Sequence, residues 1–269
     1  MELLLSQGDN QMASRARVLA VGHTDVGMKR AHNEDNFDVI DEYNLYVVAD
    51  GMGGHASGEV ASQMAIDTLR EFFRATHADP EATWPYKMDK SRGYEENRLM
   101  TSIKLANLRI YEAAQRDPKL RGMGTTICGI LVVDEGVLIA HVGDSRVYRM
   151  REGKLEQLTE DHSLLNDYIK MKRLSEEEIA NFPHKNVIVR ALGMKEHVKV
   201  DTMLDKPQPG DIYVLCSDGL CGPATDKEIE EVVNTHSDLK TATKALIDRA
   251  NSKGGPDNIT AVLAKVVGV

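Results

Sequence analysis

Leu45-Tyr46-Val47-Val48-Ala49 runs straight into Asp50-Gly51, and Ile212-Tyr213-Val214-Leu215-Cys216-Ser217 runs into Asp218-Gly219. An apolar strand that stops on an acid followed by glycine is ordinary turn chemistry when it occurs once. Here it recurs: Leu138 to Val142 ends in Gly143-Asp144-Ser145, and another glycine-flanked acid stands in Gly254-Gly255-Pro256-Asp257-Asn258. Carboxylates that emerge at the same end of neighbouring strands repel one another and raise one another's pKa unless a cation neutralises them. Asn33-Glu34-Asp35, following Arg30, adds acids in a polar stretch. Oxygen donors of this kind suit Mg²⁺ or Mn²⁺ rather than Zn²⁺, whose His/Cys spacing is absent.

Outward from these strand ends the pattern alternates. Residues 17–24 and 44–49 read as strands, and 58–75 places Val60, Ala61, Met64, Ala65, Leu69, Phe72 and Phe73 on one helical stripe. Residues 95–116 form a second helical pattern, with Leu99, Ile103, Ala106 and Ile110 at steps of four and three. Between them, 79–93 is rich in Pro, Gly and charge, holds Trp84, and reads as a surface loop. The β-type runs 125–133, 136–142 and 146–151 are separated by short turn-forming segments, which favours antiparallel pairing. Residues 162–183 are polar and helical, strands resume at 198–203 and 212–216, and two helices at 226–234 and 238–252 precede a last strand at 259–266. Strand runs joined by hairpins, with helices in pairs, predict an α+β fold of antiparallel sheets covered by helices. The aperiodic residues 1–16 predict a disordered tail, leaving one domain over 17–269.

Composition narrows the function. No segment approaches the roughly 18 apolar residues of a membrane span, and the start lacks the basic and apolar regions of a secretory signal, so a cytoplasmic protein is expected. Asn258-Ile259-Thr260 is then no glycosylation site. Cys128, Cys216 and Cys221 lack zinc spacing and read as reduced core thiols. A net charge of −9 argues against nucleic-acid and anionic-membrane partners. Gly51-Met52-Gly53-Gly54 is not a P-loop, because the Lys-Ser/Thr that completes one is missing.

Taken together, Thr24-Asp25-Val26-Gly27-Met28-Lys29-Arg30-Ala31-His32-Asn33-Glu34-Asp35, Asp50-Gly51-Met52-Gly53-Gly54-His55, Gly124-Thr125-Thr126, Gly143-Asp144-Ser145-Arg146, Ser217-Asp218-Gly219 and Asp257-Asn258-Ile259-Thr260 resemble the PP2C (PPM) phosphatase family, bacterial in type. The segments occur in the family's order over roughly residues 18–266. The resemblance implies a four-layer αββα sandwich, two central antiparallel sheets flanked by helix pairs, with a metal centre in a cleft at one end. It implies metal-dependent hydrolysis of phosphoserine and phosphothreonine in proteins by direct attack of a water bridging two core Mn²⁺ or Mg²⁺ ions. By position, Asp50 would bridge the ions, the Gly51 carbonyl would ligate one, and Asp218 and Asp257 would hold the other. Glu34 and Asp35 would support the centre, Arg30 would grip the phosphate, and His55 would protonate the leaving alkoxide. Asp144, with Asp218, would bind a third, weaker ion.

A mobile flap is implied over about 162–186. The implied partners are phosphorylated proteins, including a Ser/Thr protein kinase whose signalling the enzyme would reverse, and a monomer is expected. Other readings stand beside these. Asp144 is equally a turn cap, Arg30 could pair with Glu34, and His162 and Ser163, at the entrance to the implied flap, read as structural in preference to a role in substrate access. The whole chain could be a silent phosphoprotein-binding scaffold, a reading weakened by the presence of Asp50, Asp218 and Asp257. It could also be a two-metal nuclease or small-molecule phosphoesterase. The chain departs from the family at Ile169-Lys170-Met171-Lys172-Arg173-Leu174-Ser175, which lacks a glycine, and at 84–94, which is longer and more basic.

Overall fold

The computed structural model describes residues 15–53, 57–79, 81–171, 178–179, 182 and 187–268. One sheet runs in the order β1 (Arg17–Asp25), β11 (Ile259–Gly268), β10 (Ile212–Cys216), β7 (Arg146–Arg151) and β8 (Lys154–Gln157). The other runs β2 (Asp35–Ile40), β3 (Leu45–Met52), β5 (Ile127–Val133), β6 (Gly136–Val142) and β9 (Asp201–Asp205), with the short β4 (Gly124–Thr125) paired to the end of β3. Every pairing is antiparallel.

Side chains alternate across a strand, so each central strand feeds two cores. From β3, Tyr46 and Val48 enter the layer between the sheets, where they meet Ile130, Ile139, Tyr213, Leu215 and Val262. Leu45, Val47 and Ala49 face the other way, onto α1 (Ser57–Ala78) and α2 (Tyr94–Arg116) with Leu69, Phe73, Leu99 and Ile103. Val214 and Cys216 of β10 pack likewise under α5 (Asp226–Thr235) and α6 (Leu239–Ser252). Both faces are covered, so these strands are apolar throughout rather than alternating. Each fully buried Val, Leu or Ile contributes about 1.5–3 kcal/mol. The result is the expected α+β arrangement of helices, sheet, sheet, helices.

Several expectations shift. The strand expected at 198–203 is β9 at Asp201–Asp205, and β2, β8 and the one-turn α4 (Asp218–Cys221) went unpredicted. The 79–93 loop is anchored, because Trp84 stands edge-on to Phe72 at 5.6 Å and lies 5.2 Å from Tyr94. Arg98 ties α2 to α1: it donates to Thr76 Oγ1 and the Phe73 carbonyl, both at 2.8 Å, and lies 4.3 Å over the Phe73 ring. Of the expected tail, residues 1–14 lie outside the described residues, while Ala16 is buried and Arg15 bonds Asp134. Of the expected flap, α3 (Leu164–Met171) is described, whereas 172–177, 180–181 and 183–186 lie outside. The three cysteines are free thiols.

Candidate active site

Register brings the acids together. Asp35 and Asp50 are direct partners across β2 and β3. In the facing sheet, β10 delivers Ser217 beside Thr260 of β11, with Ser217 N donating to Thr260 O at 3.1 Å. One oxygen of Asp35 bridges the two sheets: Oδ2 accepts from Ser217 Oγ at 2.7 Å and from Thr260 Oγ1 at 2.6 Å. Its other oxygen, Oδ1, is buried with no hydrogen-bond partner, and so is Asp144 Oδ1. A buried carboxylate oxygen without a donor is costly unless a cation faces it. The donor set, all carboxylate and carbonyl oxygen, therefore fits a hard divalent ion.

The backbone around the acids is pinned. Asp50 O accepts from Thr126 N at 2.8 Å and Thr125 Oγ1 at 2.9 Å, and Asp50 N donates to Thr126 Oγ1 at 3.1 Å. Thr126 Oγ1 shares a 2.6 Å bond with Ser145 Oγ, which ties the Asp50 strand to the Asp144 turn. Asn258 Oδ1 accepts Glu34 N at 2.8 Å, and its Nδ2 donates to the Val26 and His32 carbonyls. Gly51 must lack a side chain, because a Cβ there would lie 2.2 Å from the Gly58 carbonyl at the start of α1.

Crowded charge shifts the acids upward. Burial comes first for Asp50, followed by Asp35, Asp218, Asp144 and Asp257, and together they hold its pKa well above the carboxylate range. Asp35 is pushed to about 7 by burial, against the Thr260 and Ser217 hydroxyls. Asp144 reaches about 7 through burial and then the neighbouring Asp218 and Asp161. Asp218 is raised by burial and then Asp257, with a hydrogen bond from Asp50 opposing. Glu34 is raised by burial, offset by the Gly58 amide and Arg30. Arg30 is half-exposed and pairs with Asp257 Oδ2 at 2.7 Å rather than with Glu34. A cleft of about 440 Å³ opens beside the acids, lined by Asp144, Asp161, Ser163, Asp218, Gly219 and Asp257. Thus Arg30, Glu34, Asp35, Asp50, Gly51, Asp144, Asp218 and Asp257 share one rim; His55 lies outside the described residues.

Sequence reasoning missed the hydroxyl and amide scaffold of Thr126, Ser145, Ser217, Asn258 and Thr260. It also missed a second cluster, in which His141, His162 and Asp201 bring donor atoms within 4.8 Å of one another. Adjacency to the strand-end acids was the available signal for Ser145, Ser217 and Asn258, whereas Thr126 and the second cluster are brought in from distant segments. His162 Nδ1 accepts Gly143 N–H at 3.0 Å, which leaves the ring proton on Nε2 to donate to Asp201 Oδ2 at 2.9 Å. Burial, then His141, lowers the His162 pKa to about 4, so the ring is neutral. Arg190 and Lys199 also contact Asp201. Arg190 Nη1 also lies 2.9 Å from His162 Nε2, so both His162 nitrogens and the Asp201 carboxylate are engaged by neighbouring protein groups, in contrast to the orphaned oxygens of the acidic rim.

Proteins similar in sequence and fold to this chain place it in the class of protein serine/threonine phosphatases. The family model of protein phosphatase 2C matches residues 27–264, and the chain belongs to that family. It is 38% identical over 249 residues to the serine/threonine phosphatase stp of Listeria innocua, covering 90% of this chain and 93% of that one. The crystal structure of serine/threonine phosphatase Stp1 from Staphylococcus aureus superposes with a TM-score of 0.83 at 32% identity, covering 97% of this chain and 100% of that one. The catalytic domain of the serine/threonine protein phosphatase PstP, in complex with two manganese ions, gives 0.75 at 33% identity, covering 93% and 98%. No described helix is long and apolar enough to cross a membrane.

Proposed function

We propose that Asp50, the Gly51 carbonyl, Asp218 and Asp257 hold two Mn²⁺ or Mg²⁺ ions, with Glu34 and Asp35 supporting them. The chain then hydrolyses phosphoserine and phosphothreonine in proteins without a phosphoenzyme. The observation that carries this reading is the convergence of mutually raised, buried acids with unpaired oxygens at Asp35 and Asp144. Bound cations supply Lewis-acid activation of water and neutralise charge on the phosphoryl oxygens. The remaining work falls to side chains. Arg30, exposed at the rim, offers a planar fork for two phosphate oxygens once a bound ion takes over Asp257. His55, by resemblance, protonates the leaving alkoxide. Asp144, with Asp218, takes a third, weaker ion. The 2C-family relatives are named as serine/threonine phosphatases, which supports phosphoproteins as substrates. The physiological role we assign is a cytoplasmic monomer that reverses Ser/Thr kinase signalling.

The test is hydrolysis of a phosphothreonine peptide against a panel of nucleotides, with Mn²⁺ or EDTA. Chelation, Asp50→Asn and Asp218→Asn should each lower turnover by at least about 100-fold while circular dichroism stays native. Robust turnover in EDTA would overturn the mechanism, and a preference for nucleotides would overturn the substrate class.

A further inference from the structure

Gly143, whose φ is +113°, immediately precedes Asp144, and a Cβ there would lie 2.6 Å from the Thr126 side chain. Its peptide is gripped at both ends by one residue. Gly143 N–H donates to His162 Nδ1 at 3.0 Å, and His162 N–H donates to the Gly143 carbonyl at 2.9 Å. The imidazole is in turn fixed on its far side. Nε2 reaches Asp201 at the start of β9, and the ring stacks on His141 at 4.6 Å and 16°, whose Nε2 lies 2.8 Å from the Glu160 carbonyl. The His162 carbonyl accepts Val189 N–H at 2.9 Å, and Ser163 bridges to Ile188, so His162 also ties the backbone at Ser163 to that at Ile188 and Val189.

We propose that His162 is a positioning residue: it clamps Gly143 through both its N–H and its carbonyl so that Asp144 presents its unpaired carboxylate oxygen to the weaker cation site, and it joins that site to the paired backbone at Ser163 and Ile188. This rests on the reading of Asp144 as an ion ligand. Packing alone would not require both polar ends of Gly143 to meet the same residue, nor an acceptor nitrogen on the Gly143 side of the ring.

Two substitutions separate the nitrogens. His162→Asn places an amide oxygen where Nδ1 was and keeps an acceptor for Gly143, but loses Asp201. His162→Gln keeps a polar group towards Asp201 and loses the acceptor. Mn²⁺ binding is read by titration calorimetry, and Gly143 amide protection by hydrogen exchange, each with a melting temperature in EDTA. Both variants should lose melting temperature to a similar degree. Only His162→Gln should deprotect the Gly143 amide and weaken the lowest-affinity Mn²⁺ event, by about tenfold. Asp144→Ala should abolish that event.

If both variants bind Mn²⁺ like the wild type, or both weaken it in proportion to lost stability, His162 only packs and the proposal fails. An Asp144→Ala protein with unchanged Mn²⁺ binding also overturns it. A wild type that shows the expected calorimetry but does not cleave phosphothreonine peptide would overturn the phosphatase mechanism and leave the clamp supported.

Discussion

Asp35 carries two opposed demands at one carboxyl. Oδ2 is held by hydroxyls from two strands of the facing sheet, and Oδ1 is left without a partner in a buried position. The hydroxyls stabilise the anion and burial penalises it; burial wins, leaving the pKa at about 7. Thr260→Val is nearly isosteric and deletes the 2.6 Å bond to Asp35 together with the 2.7 Å bond to Thr24. Loss of one buried hydroxyl contact at each partner should cost about 1–3 kcal/mol in urea unfolding. It should also raise the Asp35 pKa further, so a cation must displace a proton at neutral pH. We predict that Mn²⁺ affinity in this variant falls more at pH 6.5 than at pH 8, where the wild-type carboxyl is largely ionised and the variant's proton is easier to displace. An equal loss at both values would remove the donor role assigned to Thr260.

At the scale of elements, the repeated device of a strand, an acid and a glycine works because the turn after β10 lies against the backbone preceding β11. A Cβ on Gly219 would sit 1.8 Å from the Asn258 carbonyl, and Asn258 is the residue whose side chain holds Glu34 and the 26–32 loop. The clash is with backbone that cannot rotate away. Gly219→Ala should therefore cost at least about 2 kcal/mol and lower activity as well. Gly93→Ala, which meets nothing within 4 Å at the start of α2, should cost under about 1 kcal/mol in the same denaturation assay. Comparable losses at both would show that the site does not depend on this close approach. The same packing explains what could be read from sequence. β3, β5, β6, β10 and β11 are largely apolar because both their faces are covered; the Asp-Gly endings of β3 and β10, the Gly-Asp that follows β6 and the Asp257 that precedes β11 mark the rim. β2 escaped detection because Asp35, Asn36 and Asp38 break its apolar run, and each has a distant partner that supplies the reason: Thr260, Ser62 and Arg70. His162 reads as structural in the sequence because nothing local in Asp161-His162-Ser163 points to Gly143 or Asp201. Its meaning is set by register between segments tens of residues apart.

The molecule as a whole concentrates repulsion at one rim, on a chain already carrying −9, and this gives the metal-free protein a distinctive pH response. Carboxyls have an ordinary pKa near 4 in unfolded chains. In the fold, Asp35 and Asp144 stand at about 7 and Asp50 well above the usual range. Groups raised on folding contribute stability that is complete below the unfolded pKa and is lost as pH rises through the folded one. Buried His162, lowered to about 4, acts in the opposite sense, but only between about 4 and its unfolded value near 6.5. Above about pH 6.5 the acids act unopposed by it, and each extra proton held by the native state removes about 1.4 kcal/mol per pH unit. The chelated protein should therefore lose several degrees of melting temperature between pH 6.5 and 8. A divalent ion replaces those protons, so the stabilisation by Mn²⁺ should grow across the same interval, with proton release measurable in buffers of different ionisation enthalpy. Asp50→Asn removes a fully buried carboxyl whose pKa is raised well above the ordinary range, and its chelated form should show a flatter pH profile and melt higher than the chelated wild type at pH 8. If the wild-type profile in EDTA is flat, or rises from pH 6.5 to 8, the rim acids are not held protonated by burial and by one another, and the electrostatic case for a cation centre at this rim fails with them.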